Sequence, residues 1–146
     1  MKLRSTKGFS LVELIIVIAI MGIIAVVAVP NLTGIQTRST LKADITTASQ
    51  IGKAVRVALA DEVTGLTTKL NTGSKLSDLS ADISTYIGTS YKHKGAGSTA
   101  DFYVKLENNY IKVGIGTSLS NAFNGTYGPS ASGNSTSGVA YEEGKN

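Results

Sequence analysis

The chain has 146 residues, no cysteine, and a formal net charge of +4. That length leaves room for one modest domain, and the lack of cysteine excludes disulfide staples, thiolate metal sites and thiol chemistry. Three of the fourteen Lys and Arg residues, Lys2, Arg4 and Lys7, sit at the extreme N-terminus; without them 11 basic residues face 10 acidic ones, so the basic balance is a membrane-topology signal and not a nucleic-acid one.

The next stretch governs the reading. Lys7-Gly-Phe-Ser-Leu-Val-Glu13 is followed by sixteen consecutive apolar or glycine residues, Leu14 to Val29, and then Pro30. As a helix, Phe9 to Val29 would be about 31 Å long, enough to cross the hydrocarbon core of a bilayer. Inside it lies one ionised side chain, Glu13, and a carboxylate at the centre of a membrane helix is disfavoured by roughly 2.5 to 3.5 kcal/mol. The next basic residue after Lys7 is Arg38, so the span supplies Glu13 with no cation of its own. A cut between Gly8 and Phe9 would create one: the new α-amine on Phe9 lies one helical turn from Glu13. A secretory signal peptide cleaved after Ala28 explains the apolar run, but Glu13 stands where such a core should be purely apolar.

Gly8, Phe9, Ser10, Leu11, Val12, Glu13, the apolar run and Pro30 together resemble the start of a type IV pilin or of the related pseudopilins of secretion systems. The resemblance implies a leader, 1–8, removed by a prepilin peptidase between Gly8 and Phe9, N-methylation of Phe9, and an assembly role for Phe9 and Glu13. It also implies that the weak stretch from Gly22 to Pro30 can lose helicity when subunits pack. Proline there removes one intrahelical hydrogen bond and kinks the helix at a cost of about 3 kcal/mol. Ala19, Gly22, Ala25 and Ala28, spaced three apart, would let apolar helices approach closely.

Beyond Pro30 the apolar residues become periodic: Leu32, Ile35, Leu41, Ile45, Ala48, Ile51, Val55 and Leu59, with Gln36, Arg38, Lys42, Asp44, Gln50, Lys53 and Arg56 forming a wet face. One long helix is therefore predicted from about Ser10 to about Thr64. The connecting region, 65–97, carries one short helix, with Leu76, Leu79, Ile83, Tyr86 and Ile87 at helical spacing and Ser74 as its cap. Asp78 and Asp82 on its far face read as solvated surface, because nothing nearby completes an oxygen cage for calcium.

The strongest strand signal follows. Phe102, Val104 and Leu106 alternate with polar neighbours, as do Ile111, Val113 and Ile115, and Asn108-Asn109 between them tolerates the positive φ of a tight turn. This predicts a β-hairpin laid on the amphipathic half of the long helix, with a third strand at Gly138 to Glu142. The rest of the C-terminal region, rich in Gly, Ser, Thr and Asn, reads as loops. Many pilins close that region with a disulfide; this chain must hold it otherwise.

No enzyme is predicted. His93 is the single histidine, flanked by Lys92 and Lys94, and no second histidine or cysteine can complete a metal site or a nucleophile-base pair. Gly114-Ile-Gly116 lacks the third glycine of a dinucleotide fingerprint, and Asp61-Glu62 and Glu142-Glu143 read as exposed acidic pairs. Lys92 and Lys94 are too few for a nucleic-acid surface. No cofactor or metal is expected.

The expected architecture is α+β: a long N-terminal helix, transmembrane in its first half and amphipathic in its second, packed on a small antiparallel sheet. Its divisions are the leader 1–8, a transmembrane and filament-core helix 9–30, and a soluble domain 31–146, made of helix 31–64, connection 65–97, and sheet with loops 98–146. By resemblance the product is a subunit of a type IV pilus-like filament serving adhesion, motility or a related surface function. Its partners would be identical subunits, a prepilin peptidase, an assembly ATPase and a membrane platform protein. The precursor would sit in the cytoplasmic membrane with its N-terminus inside, and the polymer on the cell surface. The alternatives are a secretion-system pseudopilin and a membrane-anchored binding module that never polymerises.

Overall fold

The computed structural model describes residues 8–88, 91, 95, 99–129 and 135–145. Helix α1 runs Leu11–Ala60. It is followed by α2 (Leu66–Thr72), β1 (Ser74–Lys75), α3 (Leu76–Ile83), β2 (Asp101–Glu107), β3 (Tyr110–Gly116), α4 (Leu119–Ala122), β4 (Gly128–Pro129), β5 (Ser135–Thr136) and β6 (Gly138–Glu142). The chain divides into two compact units, Met1–Ile35 and Gln36–Asn146, and α1 contributes to both.

In the second unit the sheet order is β1-β2-β3-β6, antiparallel throughout, with β4-β5 as a separate pair. The class is α+β, as expected. The hairpin turn is Asn108-Asn109, both at positive φ (51° and 67°), the two-residue geometry whose twist suits the flanking strands. Phe102, Val104, Ile111, Val113 and Ile115 are buried in one core with Leu41, Ala48, Ile51, Val55 and Ala58 of α1.

The buried stripe of α1 differs from the predicted one. Leu41, Asp44, Ala48, Ile51, Val55 and Ala58 face inward, while Ile35 and Ile45 are exposed. A hydrophobic reading selects Ile45 because its neighbour is an aspartate; the structure buries the aspartate instead. Asp44 Oδ2 accepts hydrogen bonds from the Tyr127 hydroxyl (2.6 Å) and the Gly95 amide (2.8 Å), which compensates its removal from water. It ties α1 to two distant segments of the chain.

Helix α1 also stops earlier than predicted. Glu62 N–H donates to Leu59 O and Val63 N–H to Ala58 O, each at 3.2 Å, with Glu62 at φ 54°. That is a Schellman termination with glutamate where glycine is usual, so sequence reading places the end nearer Gly65.

The connection holds more structure than predicted. Leu66 and Leu70 are buried from α2, a two-turn helix with too few apolar positions to announce itself. Ser74 does not cap α3; it lies in β1, its Oγ donating to Lys69 O, and Lys75 is the N-cap residue. Ile83 ends α3, with Ile87 buried beyond it. Lys69 reaches Asp82 at 2.7 Å, so that carboxylate joins α2 to α3.

Gly114 and Gly116 form a seat. The backbone of Ala122 in α4 lies where their Cβ atoms would be, 2.7 Å from Ala122 N in the case of Gly116. Glycine at both positions lets this short helix rest on the strand backbone.

The C-terminal region is held without a disulfide. Strand β6 pairs with β3, and beyond it Glu143 meets α1: Arg56 Nε donates to Glu143 Oε1 at 2.8 Å, and an Arg56 terminal nitrogen donates to Glu143 Oε2 and to Asn109 O. Glu143 Oε2 also accepts from Ile111 N–H at 3.1 Å. Neither Glu143 nor Arg56 is the free surface charge that sequence suggests. Glu142 pairs with Lys112 and Lys145, and Asp61 accepts from the Tyr86 hydroxyl at 2.7 Å. On the same sheet Glu107, between Lys112 (2.6 Å) and Lys105 (3.0 Å), is pushed down to about 2 by their hydrogen bonds.

Candidate functional site: the exposed N-terminal helix

Gly8, Phe9 and Ser10 precede the helix and are exposed, Phe9 by 85%. The Gly8–Phe9 bond therefore lies outside regular secondary structure, where a protease can bind an extended backbone. The helix begins with Leu11, and Ser10 O accepts the Leu14 amide at 3.2 Å as its first intrahelical bond.

Glu13 lies in the first turn. Its Oε2 accepts from the Ser10 amide at 3.4 Å, a partner that carries no charge. The signal was present as Ser10-x-x-Glu13, the spacing of a capping box.

Between Leu11 and Ala28 the helix is long and apolar enough to cross a membrane, and none of it is buried among the described residues. Leu11, Leu14, Ile15, Ile16, Ile18, Ile20, Met21, Ile23, Ile24 and Val26 are all exposed. So many exposed side chains of this size, on one continuous stretch, require lipid or other apolar helices around them. Gly22 has open space on all sides: a Cβ there would meet nothing within 4 Å. Packing within this chain thus gives no reason for a glycine at 22. Ala19, Ala25 and Ala28 are exposed as well, and α1 continues through Pro30.

The family model of the prokaryotic N-terminal methylation motif matches residues 3–29. The chain carries a prepilin-type signal. No solved structure matches it. The motif supports a type IV pilin-like or pseudopilin precursor, and it implies processing by prepilin peptidase and filament assembly. The apolar helix fits a membrane-anchored precursor.

The motif points to a structural protein. Among the described residues no three His, Cys, Asp or Glu side chains come together as a metal-holding group. Lys92, His93 and Lys94, like Lys2, Arg4 and Lys7, lie outside the described residues.

Proposed function

We propose that the chain is the precursor of a structural subunit of a type IV pilus-like extracellular filament. Prepilin peptidase cuts between Gly8 and Phe9, removing the leader 1–8, and methylates the Phe9 amine. Residues 9–30 then leave the cytoplasmic membrane and bundle with identical helices in the filament core, while 31–146 form the surface. An assembly ATPase and a membrane platform protein drive the extraction.

The observation that carries this reading is the exposure of every large apolar side chain described from Leu11 to Val27, beside a motif built around one carboxylate. Lipid satisfies that surface in the precursor, and neighbouring helices satisfy it in the filament by close packing. Glu13 has no cation in its own span; the Phe9 amine of a neighbouring copy neutralises it during assembly. Gly22 and the Ala19, Ala25, Ala28 row allow close helix approach, and Gly22 to Pro30 is the segment that yields under tension.

Glu13→Ala tests the pairing. Cleavage of the leader persists, while the sheared surface fraction loses its fibres and cleaved subunit accumulates in the membrane. Fibres in undiminished amount would contradict the pairing.

A further inference from the structure

Glu13 is a carboxylate in an apolar run, and the filament reading supplies its partner only after the leader has been cut. The uncut chain needs an earlier answer, and the geometry contains one. Ser10 N–H donates to Glu13 Oε2 at 3.4 Å, and Ser10 O takes the first intrahelical bond, from Leu14 N–H at 3.2 Å. Ser10 is thus the N-cap and Glu13 the third helical residue, the positions at which a glutamate side chain folds back onto the N-cap amide.

The physical reason is strongest at a membrane. The first amides of a helix have no intrahelical acceptor, and towards lipid little water replaces one. A carboxylate in the first turn also meets the positive end of the helix dipole. Both effects give the Glu13 side chain a place at the first turn with no cation nearby.

We propose that Glu13 is the N-terminal cap of its own membrane helix in the uncut precursor. It fixes the first turn, and with it the exit direction of Phe9 and Gly8, before any neighbouring amine exists. The cap goes beyond the filament reading and does not depend on polymerisation.

Capping and pairing make different demands. A cap needs an acceptor oxygen on a side chain of this length, which glutamine has; an ion pair needs the charge, which glutamine lacks. Alanine serves neither. The full-length uncut precursor in lipid bicelles, followed by NMR, gives amide-hydrogen exchange at Ser10 for the native chain, Glu13→Gln and Glu13→Ala. Exchange at Ser10 is expected to rise about five-fold in Glu13→Ala, as for loss of a typical cap, and to stay within about two-fold of native in Glu13→Gln. Unchanged exchange in Glu13→Ala, or Glu13→Gln exchanging as fast as Glu13→Ala, would overturn the cap. Fibre yield from the same variants reads the filament separately: a native chain that makes no fibres defeats that reading and leaves the cap untouched.

Discussion

Arg56 and Glu143 meet across 87 residues of chain, and their contact replaces a covalent closure. Both side chains are partly exposed, so solvent screening keeps the pair modest; Arg56→Ala should lower unfolding stability by about 1 kcal/mol at neutral pH in urea titrations. Glu143 is held below the ordinary carboxylate range, first by its hydrogen bond from Arg56 and with help from the Ile111 amide, against the cost of desolvation. Because the folded value is the lower one, this contribution is complete above the unfolded carboxylate value of about 4.3 and is lost as pH falls through the folded value. The stability difference between the native chain and Arg56→Ala should therefore shrink on acidification. A difference that stays constant down to pH 2 would contradict the ion pair. Asp44 is the costlier residue to lose. Asp44→Ala removes the acceptor of the Tyr127 hydroxyl and of the Gly95 amide, and should cost about 3 kcal/mol; Tyr127→Phe should cost about half of that, because Asp44 keeps Gly95.

At the scale of elements, α1 ends where Glu62 takes a left-handed backbone conformation that disfavours any residue with a Cβ. Glu62→Gly relieves that strain but enlarges the unfolded ensemble, and the balance should raise stability by about 0.5 kcal/mol. Gly114→Ala acts in the opposite sense: the new methyl collides with the Ala122 backbone, which cannot rotate away, and α4 must lift off β3 at about 2 kcal/mol or more. Thermal unfolding of the two variants beside the native chain checks both signs.

These same places show what sequence made legible. The hairpin was readable because alternation and Asn108-Asn109 agree, and the apolar span because nothing polar interrupts it after Glu13. Ile45 in place of Asp44 was misread because apolar periodicity cannot see a carboxylate whose partners, Tyr127 and Gly95, lie far along the chain. The end of α1 was misread because the stop signal is a backbone angle at Glu62, not a glycine. Helices α2 and α4 are too short for periodicity; only the glycine pair under α4 marked its place. At the N-terminus, the spacing Ser10-x-x-Glu13 carries the capping signal in the sequence itself, but an apolar run draws attention to the charge of Glu13 and not to its acceptor oxygen.

For the molecule as a whole, two surfaces with opposite requirements share one helix. From Gln36 onward α1 buries its stripe within its own unit, under β2, β3 and β6. From Leu11 to Ala28 nothing among the described residues covers it. A stable fold that leaves such a length of apolar helix uncovered depends on its surroundings, which in the proposed function are first lipid and then copies of itself. In the proposed function the leader 1–8 separates the two states, since a Phe9 amine would not exist until Gly8 is released.

The intact mass of the protein recovered from the cell surface tests this most directly. The account predicts loss of the first eight residues and one added methyl on Phe9. A surface protein that retains its leader, or one cut after Ala28, would contradict it.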